Sequence, residues 1–230
     1  MTRAASIEPA GVNRPAPAGV AVGAAGAVAV PVAPTAAPAG AGLFTPAGSM
    51  DATRVNATLL RDGRVLMVGG NDDSDNALAS ALLFDPRSGA YSGAAGTLAS
   101  ARSDPAVVKL QDGRVLVVGG EDGTQTPLAS AELFDPSTGN FKVTGSMSTA
   151  RSGATAFTLP DGNVLVIGGH AASGEALASA EIFDPKSGQF SSTGSMTVAR
   201  DALGAVQLQD GRVLVAVSYT HLTLPTIYSV

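Results

Sequence analysis

A chain of 230 residues with 45% hydrophobic side chains can bury a core, and its formal charge of −5, from 14 Lys and Arg against 19 Asp and Glu, leaves no basic excess to track a phosphate backbone. The cations are scattered, so nucleic-acid binding is not expected. The absence of cysteine excludes disulfides, thiolate metal clusters and cysteine nucleophiles, while 28 glycines and 14 prolines point to short strands joined by tight turns.

Residues 1–42 are mostly Ala, Gly, Pro and Val and cannot bury enough apolar area to offset the entropy of ordering, so a disordered leader or linker is expected there. Ala16 to Ala33 is uncharged and follows Arg3 and Arg14, which makes a signal segment, and with it a secreted or cell-surface location, the alternative. The run lacks Leu, Ile and Phe and is interrupted by Pro and Gly; this favours the linker and argues against a membrane span.

From Leu43 the sequence repeats. Asp-Gly pairs stand at Asp62-Gly63, Asp112-Gly113, Asp161-Gly162 and Asp210-Gly211, in steps of 50, 49 and 49 residues. Each repeat reads as four strands. A short alternating strand, such as Ala106, Val108, Leu110, runs into Asp-Gly, the signature of a two-residue hairpin. The second strand, Val65 to Val68, Val115 to Val118 or Val164 to Ile167, is apolar at every position and must be covered on both faces. It ends at Gly69-Gly70, Gly119-Gly120 or Gly168-Gly169, where another backbone approaches or φ turns positive. The third strand closes in Phe-Asp-Pro, and the following turn places Gly89, Gly139 or Gly188 in the left-handed position. A fourth strand starts at Tyr91, Phe141 or Phe190.

The order Gly-Gly, Phe-Asp-Pro, then an aromatic seven residues after that Phe, on a period near 50, resembles the Kelch repeat over residues 43–216. The resemblance implies an all-β fold of Kelch-type β-propeller blades: three complete four-stranded repeats and a partial fourth around a central channel. Phe84, Phe134 and Phe183, with Tyr91, Phe141 and Phe190, stand where the family usually has Tyr and Trp, which removes polar tips and keeps the ring packing. The fourth repeat departs from the pattern after Ala216. Residues 217–230 resemble the translated read-through of a transposon-derived sequencing adapter, so they are expected to be non-native, with further blades supplied by missing sequence.

The resemblance extends to galactose oxidase, whose propeller carries a copper site of Cys, Tyr and His. Residues 43–216 offer no Cys, one Tyr (Tyr91) and one His (His170), so a protein- or glycan-binding module without catalysis or cofactor is expected; a copper enzyme and a structural or adhesive module are the alternatives.

Strand parity puts the Asp-Gly and Asp-Pro-x-x-Gly turns on one face and the longer connections on the other. There the seven-residue loops Asn71 to Ala77, Glu121 to Pro127 and His170 to Ala176 share length but hardly any sequence, as expected of variable contacts on a fixed scaffold. Asp72, Asp73, Asp75, Glu121, Asp122 and His170 are the candidate ligand contacts, with Arg102 and Arg151 nearer the channel. His170 reads as a solvated loop histidine if it binds nothing, and the acidic string from Asn71 to Asn76 lacks calcium-loop spacing. Arg54, Arg102, Arg151 and Arg200 recur at the repeat junctions, where satisfying carbonyls or an acidic neighbour is the competing role.

Overall fold

The computed structural model describes residues 52–53, 56–94, 96–201, 203–208, 212–217 and 226–228; the expected leader 1–42 and most of 217–230 lie outside these. Among the described residues all regular structure is strand. Repeat 1 forms β1 (Ala57–Leu59), β2 (Val65–Val68), β3 (Ala81–Asp85) and β4 (Ala90–Gly93), and repeat 2 forms β5 (Ala106–Lys109), β6 (Val115–Val118), β7 (Ala131–Asp135) and β8 (Asn140–Val143). Repeat 3 forms β9 (Thr155–Thr158), β10 (Val164–Ile167), β11 (Ala180–Asp184) and β12 (Gln189–Ser192). Each repeat is one antiparallel sheet whose spatial order is its sequence order. A fourth sheet joins β13 (Leu203–Gln207), β14 (Val213–Val217) and β15 (Thr226–Tyr228), the last pairing Tyr228 with Val213.

First strands touch one another, β1 to β5, β5 to β9 and β9 to β13, so they line the axis and the fourth strands lie outermost. The second strands show why each apolar run is continuous. On β6, Leu116 and Val118 pack toward Val164, Val166 and Phe183 of repeat 3, while Val115 and Val117 pack toward Leu66, Val68 and Leu83 of repeat 1. The same arrangement joins Leu165 and Ile167 to Val213 and Val215. No blade encloses a core by itself; the apolar area is removed from water between blades. The rings Phe84–Tyr91, Phe134–Phe141 and Phe183–Phe190 are cross-strand pairs, each with centroids 4.9 Å apart.

The Asp-Gly hairpins differ from expectation. Gly63 N–H donates to Leu60 O and Leu60 N–H to Arg64 O, giving a three-residue loop, Arg61 to Gly63, with Gly63 at φ +88°. Asp62 Oδ1 accepts the Arg64 N–H, so the aspartate caps the turn instead of occupying a two-residue corner. Repeats 2 and 3 close in the same way around Gly113 and Gly162. The Phe-Asp-Pro turns are as expected, with Gly89, Gly139 and Gly188 left-handed and donating to the carbonyls of Asp85, Asp135 and Asp184.

Candidate functional site

The face opposite these hairpins carries the candidate residues. Each long loop is built on one frame: its first and seventh residues form a bridge (Asn71 with Ala77, Glu121 with Pro127, His170 with Ala176), and its fifth is left-handed (Asp75, Gln125, Gly174). In repeat 1, Asp72 Oδ1 accepts the N–H groups of Ser74 and Asn76, each at 2.9 Å, and in repeat 2 Asp122 Oδ1 accepts those of Thr124 at 2.8 Å and Thr126 at 3.1 Å. The side-chain hydrogen bonds from Asn76 and from Thr124, followed by these amides, hold both carboxyls below the usual aspartate value. Asp72 and Asp122 therefore shape their own loops. Asp73 and Asp75 stand exposed at the tip of theirs.

Arg102 and Arg151 are 0% exposed and turned into the blade junctions. Arg102 Nη1 donates to Gly119 O and Ser130 O, and Nη2 to Ser130 Oγ and, at 2.9 Å, to Glu132 Oε1. Arg151 repeats the set with Gly168, Ser179 and, at 3.2 Å, Glu181. Burial lowers both guanidinium pKa values against the opposing pull of the paired glutamates. The competing role, satisfaction of carbonyls and an acidic neighbour, is the one this geometry provides. Arg200 is buried at the following junction. The series does not extend to Arg54: Thr53 bridges Asn71 as Ser103 bridges Glu121, so Ala52 occupies the place of Arg102, and Arg54 lies outside the described residues.

At the channel mouth the repeats meet in a polar cluster. His170 Nε2 lies 2.7 Å from Glu121 Oε1 of repeat 2, and its Nδ1 3.0 Å from Asp201 Oδ2, which leads into repeat 4. His170 is thus not a freely solvated loop histidine; its ring is 24% exposed between two carboxylates. Glu121 and His170 are both first residues of their loops, one repeat apart, and neighbouring blades bring such equivalent positions together. Asp104, left-handed at φ +50° where repeat 3 has Gly153, completes the cluster. Burial raises its carboxyl pKa most, a hydrogen bond from Asn56 lowers it, Glu121 and Asp201 raise it further and His170 lowers it, leaving it above the usual value. Among the described residues, no group of three or more His, Asp or Glu has the arrangement to hold a metal ion.

Kelch motif, as a family, matches residues 102–148 and 151–197, the second and third repeats together with their junction arginines. Those two repeats are thus similar to the Kelch motif. The blades superpose on a solved structure of YjhT with a TM-score of 0.61 at 13% identity, over 70% of this chain and 57% of that one. The chain thus spans little over half the length of YjhT, and the likeness establishes the propeller architecture alone. The comparison with curated proteins finds no match. Tyr91, the tyrosine that a copper-radical reading would need, lies in outer strand β4 and packs on Phe84.

Proposed function

We propose that this Kelch array is a binding module without catalytic activity of its own, and that it takes a protein or glycan ligand on the face of the long loops. The observation that carries the reading is the constant loop frame bearing different side chains: Asp73 and Asp75 in repeat 1, Thr124 and Gln125 in repeat 2, Ser173 and Glu175 in repeat 3. A rigid scaffold with variable tips is the general construction of a recognition surface. The mouth adds Glu121, His170, Asp104 and Asp201 below the tips, and the acidic balance of the whole set suits a cationic or hydroxyl-rich partner. Arg102 and Arg151 contribute by holding the face together, since their Nη1 and Nη2 donors are spent within the fold.

The test is the full chain screened on peptide and glycan arrays, followed by two variant sets read against the best hit. Asp73→Asn with Asp75→Asn alters the tip without disturbing the turn-forming Asp72; Arg64→Gln with Arg114→Gln alters the opposite face. Loss of tenfold or more in affinity from the first set, with little change from the second, is the expected result. The reverse pattern places the ligand on the hairpin face and ends this reading.

A further inference from the structure

His170 is held in a way its own loop does not require. The loop closes through backbone bonds, Ala171 N–H to Glu175 O and Gly174 N–H to Ala171 O, which its counterparts in repeats 1 and 2 also make without a histidine. The imidazole instead reaches sideways to two other repeats, at 2.7 Å to Glu121 and 3.0 Å to Asp201. A neutral imidazole carries one N–H and can donate to only one of these carboxylates, the other nitrogen then facing an oxygen lone pair to lone pair. Both contacts are satisfied only by the imidazolium.

We propose that Glu121, His170 and Asp201 form a proton-operated clamp that ties the loop faces of repeats 2, 3 and 4 together at the channel mouth and loosens when the imidazole loses its second proton. If the ligand occupies that face, which rests on the reading above, the clamp makes its geometry depend on pH.

The charged groups set around the ring are Glu121 after β6, Asp201 before β13 and, acting through its charge, Asp104 before β5. Partial burial pulls the imidazole pKa down, but the hydrogen bonds to Glu121 and Asp201 and the charges of both carboxylates outweigh it, leaving a net rise above the ordinary 6.5. A group whose pKa is raised by folding stabilises the folded state fully below its unfolded value and ceases to do so as pH climbs through its folded value. The clamp therefore holds below about pH 6.5 and is released above the elevated folded value. Asp104 has the same sign, since a carboxyl raised by folding also favours the folded state as pH falls; its rise comes first from burial and grows when the opposing charge of His170 is removed, so a steeper fall in the wild-type chain than in the His170 variant is owed to the imidazole.

The experiment is a long-range nitrogen–proton NMR titration of the full chain carrying His221→Ala, which removes the other imidazole of the sequence. His170 is expected to carry hydrogen on both nitrogens at and somewhat above pH 6.5. Its midpoint should fall in Glu121→Gln and in Asp201→Asn, by a several-fold to tenfold weaker proton affinity, a tenfold change being about one pH unit. In parallel, the melting temperature of the wild-type chain should drop between about pH 6 and pH 8.5 by more than that of His170→Gln. A midpoint at or below about 6.5 in the otherwise unaltered chain overturns the proposal, as does indifference of the midpoint to both carboxylate substitutions. None of these readouts uses a ligand, so failure of the clamp and failure of the binding-face reading are separate results.

Discussion

Glu181→Leu is expected to cost about 3–5 kcal/mol of folding free energy, because it strands the Arg151 guanidinium in a site where the arginine is 0% exposed. The same carboxylate also accepts the N–H of Ser148 at 2.7 Å and of Thr149 at 3.1 Å, so the substitution leaves two further donors in the junction without their acceptor. Repeat 1 supplies the control. It has Ala52 where the others have Arg102 and Arg151, and Leu82 where β7 and β11 have Glu132 and Glu181, so both partners are replaced together in a blade of the same topology. Desolvating an ion pair offsets much of its attraction, and an apolar replacement of both members is often close to neutral. Arg151→Ala combined with Glu181→Leu should consequently lose much less than the single glutamate variant, although it gains an extra mutation. Urea unfolding of the full chain, run as a double-mutant cycle, measures this. Strictly additive losses would mean that the pair contributes no coupling and that the junction depends on packing alone.

The period of the sequence made the blades legible because each physical requirement recurs at the same offset. An apolar run at Val115 to Val118 needs cover on both faces, and only neighbouring blades provide it. The variable loops were legible as a face for the same reason: strand parity follows from antiparallel pairing and needs no coordinates. What remained hidden depends on contacts between repeats or across a blade. Glu132 and Glu181 stand in the middle of a third strand with no local sign that each receives an arginine from 30 residues earlier. His170 looks isolated along the chain because its partners lie 49 residues before it and 31 after it. A signal did exist in the period, since residues one repeat apart meet at the axis, and Glu121 precedes His170 by one such step. The near-regular spacing of Arg54 with the later arginines hides a shift of register, because the first repeat is one residue longer between its Asp-Gly turn and the next and the position equivalent to Arg102 is Ala52.

Gly169→Ala is expected to be strongly damaging, with a loss of about 3 kcal/mol or more, while Gly89→Ala should lose only about 1–2 kcal/mol, the ordinary cost of a left-handed residue with a Cβ. Both glycines have positive φ, +84° and +68°, so the backbone term is shared. They differ in what surrounds the missing atom. A Cβ at Gly89 meets nothing within 4 Å, whereas one at Gly169 would overlap the Ser152 carbonyl oxygen and lie 2.9 Å from the Ala154 nitrogen, both backbone atoms that cannot rotate away. Relieving that overlap means separating the strand end from the junction, where Gly169 N–H donates to Arg200 O and Gly169 O accepts from Leu177 N–H. His170 is the next residue and exchanges both backbone hydrogen bonds with Ser152, so a shift there also draws the imidazole away from Glu121 and Asp201. Two losses should appear together: a lower denaturation midpoint, and an His170 titration moved toward the unperturbed value near 6.5. Loss of stability with the titration unchanged would show that the strand end yields on its blade side and leaves the channel mouth intact.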